Sequence, residues 1–436
     1  MMTYVRLAMA ASMIAMLAGC SFHADQHDQQ VEGIPQGSTS ADATGDHSAP
    51  PSMPSHDPPL GFQKAFQLDG PVAYRVKGDL LYAVWGAKSL LGSAPEPRIA
   101  VISMVTGDEL ASVRLASEVE APTEGLRHSM TAFVDIGGQM SLMLAYEYKI
   151  EGAGTIKDRT ILRIRADRAE TGALIWSTDI DISDNPIGAI YIPATSDEYA
   201  LITSYKHRTM IVRIDSGKVV HDWPGFRGYA IVDDVVVGWY KDGRTGFIEG
   251  RSISAGQTLW NRQNIDTDDD WAASHELGNG YVLHSTPRDG GLIIAAATGA
   301  TLQHVGEGRS RIYCKYDEAG LVVCADGNGE FLRRKFLVAY NLNSGEQLWS
   351  EKDIGQGRTI PLEIDCIYRG VAYMSFSKNY RDDERPPMVL DVRTGADLVE
   401  ELPTAMEEVG AGYGISQHWN LRRDSFNAIV VYMSTR

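Results

Sequence analysis

Beyond its first twenty residues the sequence has no apolar run of eighteen or more, so no later segment is built to cross a membrane as a helix. It has only four cysteines in 436 residues, too few for a disulfide-stapled fold, and none are adjacent. No long helical period is present, which argues against an α-rich fold. The Gly-Lys-Ser/Thr phosphate loop, the His-Glu-x-x-His pair and the Gly-x-Ser-x-Gly elbow are all missing, and with them the common sequence marks of three enzyme classes. Positive charge is scarce: Lys plus Arg number 40 against 57 Asp plus Glu, a net −17. Loss of a leader containing Arg6 makes it −18. Such a surface repels phosphate backbones and anionic lipid. Nucleic acid is therefore not an expected partner, and any membrane attachment has to come from elsewhere.

That attachment is expected at the N-terminus. Residues 1–19 carry one cation, Arg6, then an apolar stretch from Leu7 to Ala18, the layout of a secretory signal peptide. The segment ends Leu17-Ala18-Gly19-Cys20, which resembles a bacterial lipobox, in which the cysteine is acylated and becomes the first mature residue. Each buried CH₂ contributes roughly 0.8 kcal/mol, so two or more chains on Cys20 would hold the protein durably at a membrane surface outside the cytoplasm. Residues 20–60 follow as a Pro-, Ser-, Asp- and His-rich tether with few large apolar groups, a composition that cannot offset the cost of ordering. Its histidines, His23, His27, His47 and His56, are irregularly spaced and read as solvated linker.

From residue 61 to 436 the chain is a repeat. One phrase recurs seven times: a short apolar strand, a Ser or Thr (once Ala), a Gly, then Leu or Val and often Trp. Its glycines are Gly107, Gly172, Gly217, Gly256, Gly299, Gly345 and Gly395, at steps of 65, 45, 39, 43, 46 and 50 residues. Trp176, Trp260 and Trp349 close three of the copies. This period fits one four-stranded propeller blade. The Gly supplies the positive φ of a tight hairpin, and the Leu or Trp is expected to point from the outermost strand toward the next blade.

Between the phrases lies a second hairpin, found eight times, from Val72–Trp85 about Lys77-Gly78-Asp79 to Tyr413–Tyr432 about Arg423-Asp424-Ser425. Eight hairpins against seven phrases predict an all-β propeller of eight blades of four-stranded antiparallel sheet. The strand Phe62–Leu68 then completes the last blade. Seven blades is the alternative count. Long intervals place loop insertions at Lys88–Pro97, Ala116–Arg127, Lys149–Lys157 and Asn379–Pro387.

The phrase Thr/Ser-Gly-x-x-Leu-Trp, carried best at Gly172–Trp176, Gly256–Trp260 and Gly345–Trp349, resembles the repeat of the quinoprotein-like (pyrroloquinoline-quinone-type) β-propellers over residues 62–434. That resemblance implies a fold shared by quinone-dependent dehydrogenases and by noncatalytic lipoproteins. The dehydrogenases carry a metal site, and some a disulfide of adjacent cysteines; this sequence has no adjacent cysteines and no alignable Glu-Asn-Asp set. With its anchor and tether it looks more like the noncatalytic members.

Other candidates are weaker. Cys314 and Cys324 flank a turn and can pair across two strands; Cys314 with Cys366, its equivalent in the next hairpin, is the rival pairing. The acids Asp266, Asp268 and Asp270 alternate as in a calcium loop, but Trp271 and Leu277 stand where that loop needs Gly and Glu. Arg333-Arg334-Lys335 reads as a charged edge guard. Trp239, Trp271 and Trp419 fall outside the phrase and are the tryptophans open to a ligand role. The expectation is a monomeric, noncatalytic scaffold with no cofactor, held at a membrane through Cys20 and binding a protein at one end of the ring. The alternatives are a quinone-dependent dehydrogenase and a carbohydrate- or cell-wall-binding module.

Overall fold

A computed structural model describes residues 58–71, 73–86, 98–115, 130–152, 157–184, 190–204, 207–242, 245–264, 273–286, 290–307, 312–326, 336–354, 361, 363–376, 386–420 and 425–435. The leader, Cys20, most of the tether, Asp266–Asp270, Trp271 and Arg333–Lys335 lie outside them.

The described residues form eight four-stranded antiparallel sheets and one four-residue helix, Glu351–Ile354. Each sheet is built from strands consecutive in sequence, except the last. Blade 1 holds Ala73–Lys77, Leu80–Trp85, Arg98–Ser103 and Glu109–Arg114; blade 2 holds Thr131–Ile136, Gln139–Ile150, Arg159–Arg168 and Leu174–Asp181. Blade 3 holds Ile190–Tyr191, Tyr199–Ser204, Arg208–Arg213 and Val219–Pro224; blade 4 holds Phe226–Val232, Val235–Asp242, Thr245–Ser252 and Thr258–Asn264. Blade 5 holds Ala273–Glu276, Tyr281–Thr286, Gly290–Ala295 and Thr301–Val305; blade 6 holds Ile312–Tyr316, Leu321–Asp326, Leu337–Asn341 and Glu346–Ser350. Blade 7 holds Glu363–Tyr368, Val371–Ser375, Met388–Asp391 and Asp397–Val399. Blade 8 joins Glu408–Gly410, Tyr413–Asn420 and Ser425–Ser434 to Phe62–Asp69 from the other end of the sequence.

Stacking buries both faces of each sheet, so the second strands read as continuous apolar runs, such as the wholly buried Leu321–Asp326. The outer strands, covered on one face only, alternate between half-buried and exposed residues. Buried apolar side chains gather into eight clusters, one between each neighbouring pair of blades. The cluster joining blades 8 and 1 contains Leu81, Ala83, Ile429 and Val431, which closes the ring.

Closure explains the count of seven phrases. The eighth third-to-fourth strand turn does not exist, because those strands are the two ends of the chain. Their register runs from Phe62 opposite Ser434 to Asp69 opposite Ala428, and the Thr435 amide donates to the Gly61 carbonyl at 2.9 Å. One expected hairpin is corrected. Tyr413–Tyr432 is the pairing of the second and third strands of blade 8; its first strand is only Glu408–Gly410, turning at Ala411-Gly412.

The seven phrase glycines all adopt positive φ, between 67° and 75°. In all seven blades a bulge interrupts the register between third and fourth strands just at this turn. The bulge changes which residues face the next blade. Leu110, Leu259 and Leu398, three after the Gly, face solvent, contrary to the expectation for the recurring Leu. The residue four after the Gly turns inward instead. Trp176, Trp260 and Trp349 donate their indole N–H to the carbonyls of Ile214, Ala296 and Val392 in the next blade, at 2.7, 2.6 and 2.7 Å. His221 takes the same place, its Nε2 lying 2.6 Å from the Ile253 carbonyl.

Candidate binding surface at the ends of the ring

Antiparallel connectivity divides the ring into two ends. First-to-second and third-to-fourth strand turns fall at one end and are short, as at Gly78, Gly137-Gly138 and Gly370. Second-to-third connections and blade-to-blade connections fall at the other. First strands of neighbouring blades pack together around the axis, so their side chains reach the channel from both ends.

At the connection end the inner strands start with aromatic and charged residues. Arg227 donates through Nε to the Tyr191 hydroxyl at 2.6 Å, and its guanidinium lies 5.4 Å from the Tyr229 ring centroid. Tyr313 accepts the Ile364 amide at 3.2 Å; burial, then the nearby carboxylates Glu363, Asp365 and Asp326, push its hydroxyl pKa far up and keep it neutral. Ser375 donates to Asp365 at 2.8 Å. Further out, the long second and third strands of blade 2 carry an Arg163 guanidinium 4.7 Å above the Tyr148 ring. Arg163 also donates twice to Asp179, at 2.7 Å each, and holds that carboxyl below its ordinary range. Arg98 stacks over Trp85 at 4.3 Å and donates to Glu109 at 2.7 Å.

At the tight-turn end polar pairs join residues of the same or neighbouring blades. Arg75 donates to the Phe133 carbonyl at 2.6 Å, and Lys77 pairs with Asp135. Tyr413 donates to Glu408 at 3.1 Å, while burial raises the Glu408 pKa. Nearer the connection end, Gln417 donates to the Tyr74 hydroxyl at 2.8 Å, joining blade 8 to blade 1. Asp317 accepts the Gly370 amide at 2.6 Å, tying blade 6 to blade 7. From the sequence Asp317, Gly370 and Tyr413 stand out only as hairpin positions and none of these residues as a site, because isolated polar residues in short inner strands carry no periodic signal.

Among the tryptophans outside the phrase, Trp239 is buried at 2% exposure and packs at 5.0 Å against His207, so it offers no open platform. No group of three His, Cys, Asp or Glu among the described residues is placed to hold a metal ion.

Cys314 and Cys324 are direct register partners on the first two strands of blade 6, their Cα atoms 4.0 Å apart, and they form a disulfide. The rival pairing to Cys366 is not formed. Cys314 faces the cluster between blades 5 and 6 and Cys366 the one between blades 7 and 8, and packed sheets stand about 10 Å apart. The Cys366 thiol donates to the Met406 carbonyl at 3.1 Å.

No family model matches the chain, and no curated protein does. The chain is an eight-bladed β-propeller. Among solved structures it is similar to the computationally designed Ika8 protein, at 13% identity over 86% of this chain and 100% of that one, with a TM-score of 0.53. BamB from Moraxella catarrhalis matches at 13% identity over 85% of this chain and 99% of that one, TM-score 0.45. A europium-containing methanol dehydrogenase matches at 10% identity over 85% and 93%, TM-score 0.45. At such identities the likeness is one of fold alone.

Proposed function

We propose that this chain is an extracytoplasmic lipoprotein whose propeller is a noncatalytic scaffold, binding a protein partner through the connection end of the ring. The polarity of the ring carries this reading. The fourth strand of blade 8 starts at Phe62 beside Ser434, so residues before 58 join the body at the tight-turn end. A lipid on Cys20 would attach the ring from that side and leave the opposite end turned to a partner. The Cys314–Cys324 disulfide supports residence outside the reducing cytosol.

Photo-crosslinking groups placed in cells at Tyr148 and Asp242, at the connection end, are expected to capture a reproducible protein partner. Groups at Asp79 and Glu318, at the tight-turn end, are expected to capture none. Capture only from the tight-turn positions reverses the assignment of the face, and capture from neither removes the scaffold reading. Cys20→Ser should release the protein from membranes; retention after carbonate washing contradicts the anchor. Stoichiometric retention of pyrroloquinoline quinone and calcium by the purified protein would instead move it to the dehydrogenase class.

A further inference from the structure

Glu276 ends the first strand of blade 5 and stands opposite Val282 in the register of that sheet. The two therefore share a face. Val282 belongs to the apolar cluster between blades 4 and 5, with Ala230, Val232, Val237 and Ile294. Glu276 is thus the channel-side end of a row that continues through apolar Val282 and Ile294. The corresponding residues of other blades, those opposite the second residue of the second strand, are Val76, Asp135, Thr195, Ile231, Tyr316, Ile367 and Val409. Only Asp135 among them is acidic, and it has Lys77 as its partner.

Glu276 is half-buried, and among the described residues no group donates a hydrogen bond or ion pair to it. The charge that acts on Glu276 is acidic; the seam's other titratable groups, buried His284 and Arg262, which donates to Gly299 and Thr301, lie on the second strand of blade 5 and the fourth strand of blade 4. Asp233 occupies the first-to-second strand turn of blade 4 with φ 52°, and its charge acts directly on Glu276. Asp234 beside it is engaged by Ser252 and Ser254. The cation of the neighbouring first strand, Lys315, acts on His275, whose Nε2 meets the Cys314 carbonyl of blade 6 and which therefore points to the opposite face. A carboxyl set against an apolar seam and beside a second carboxyl is favoured there in its protonated form.

We propose that Glu276 makes the seam between blades 4 and 5 a proton-controlled joint, closed while its carboxyl is protonated and loosened at the channel side once the proton is lost to solvent. Burial, then Asp233, raises the carboxyl to about 7, so the transition falls in the neutral range. The sign follows from linkage. The folded value lies above the unfolded one, so the contribution is full in mild acid and is lost as pH rises through the folded value.

Amide hydrogen exchange on the full chain tests this. After correction for intrinsic exchange, opening at residues 229–232 and 276–283 in the wild type, divided by that in Glu276→Gln, is expected to rise at least about tenfold from pH 5.5 to 8.5, as a shift of a unit or more in a carboxyl requires; the ratio removes the opposite, acid-side effect of His275 and His284, which both proteins share. The seam between blades 1 and 2, where Asp135 is paired with Lys77, should stay flat. Glu276→Gln by itself should show no rise in opening above pH 7, keeping only the acid-side opening that the histidines cause. Asp233→Asn should move the midpoint to lower pH. A ratio of wild type to Glu276→Gln that is the same at both pH values overturns the proposal. If Glu276→Gln does not fold, an unmoved midpoint in Asp233→Asn overturns it.

Discussion

The indole ring of Trp176 lies on Gly217 of the next blade so closely that a Cβ there would come within 2.3 Å of its Cε3 atom. The same glycine holds φ 69°, so the position is closed to other residues both by conformation and by contact. Trp260 on Gly299 and His221 on Gly256 repeat the relation. At the ring closure Phe66 of the N-terminal strand takes the place of the Trp, 2.9 Å from a Cβ built on Gly107.

Gly217→Ala is therefore expected to destabilise by about 2–4 kcal/mol, combining φ strain with a displaced ring. Trp176→Ala should cost about 3–5 kcal/mol through the cavity and the lost bond to Ile214. The two together should cost less than their sum, because once the ring is gone the added methyl no longer meets it. Urea denaturation of the four proteins measures this.

Removal of residues 58–69 takes the fourth strand from blade 8 and Phe66 from Gly107. The truncated protein is expected to lose the single cooperative unfolding transition and to expose the Ser425–Ser434 strand edge. Comparison of chains starting at 58 and at 70, by denaturant melts and light scattering, decides it; identical midpoints would contradict the closure.

Cys314→Ser is expected to cost about 2–3 kcal/mol, the loop-closure value for a span of this size, with sequence separation 10. Cys366→Ser should cost under about 1 kcal/mol, since its thiol makes one bond to a carbonyl. Alkylation under denaturing, non-reducing conditions should label Cys366 and leave Cys314 and Cys324 unlabelled.

Acid is expected to weaken the fold through blade 5. Burial lowers His275 to about 4 and His284 to about 3. The unfolded chain takes up these protons near pH 6.5 and the folded chain does not. The stability they contribute is therefore complete above pH 6.5 and falls as pH drops toward those values. His284→Gln should flatten this acid limb in denaturant melts between pH 7 and 4; an unchanged slope would exclude the residue as its source.

The ring was legible because the same turn in each blade needs glycine inside a recurring phrase, and because an unmatched eighth hairpin called for a strand such as Phe62–Asp69. The three-residue strand Glu408–Gly410 was not, since it is too short to show alternation. The facing of Leu110 and Leu398 was misjudged because a bulge shifts parity without changing composition. His221, doing the work of a Trp, matches no pattern of residue type. Inner-strand groups such as Arg227, Tyr313 and Glu276 acquire meaning only when blades distant in sequence are brought around one axis.

The pairing of Phe62 with Ser434 also fixes an order of events. The strand made first is needed last: blade 8 cannot be finished until nearly the whole chain has emerged, while Phe62–Asp69 waits with its partner edge still unmade. Long-range pairing of this kind is slow to form. A chain delivered vectorially across a membrane, start first, would hold that strand unpaired on the far side throughout export. The protein's most vulnerable moment is thus the interval before its two ends meet, and agents that bind exposed strands would act on it then.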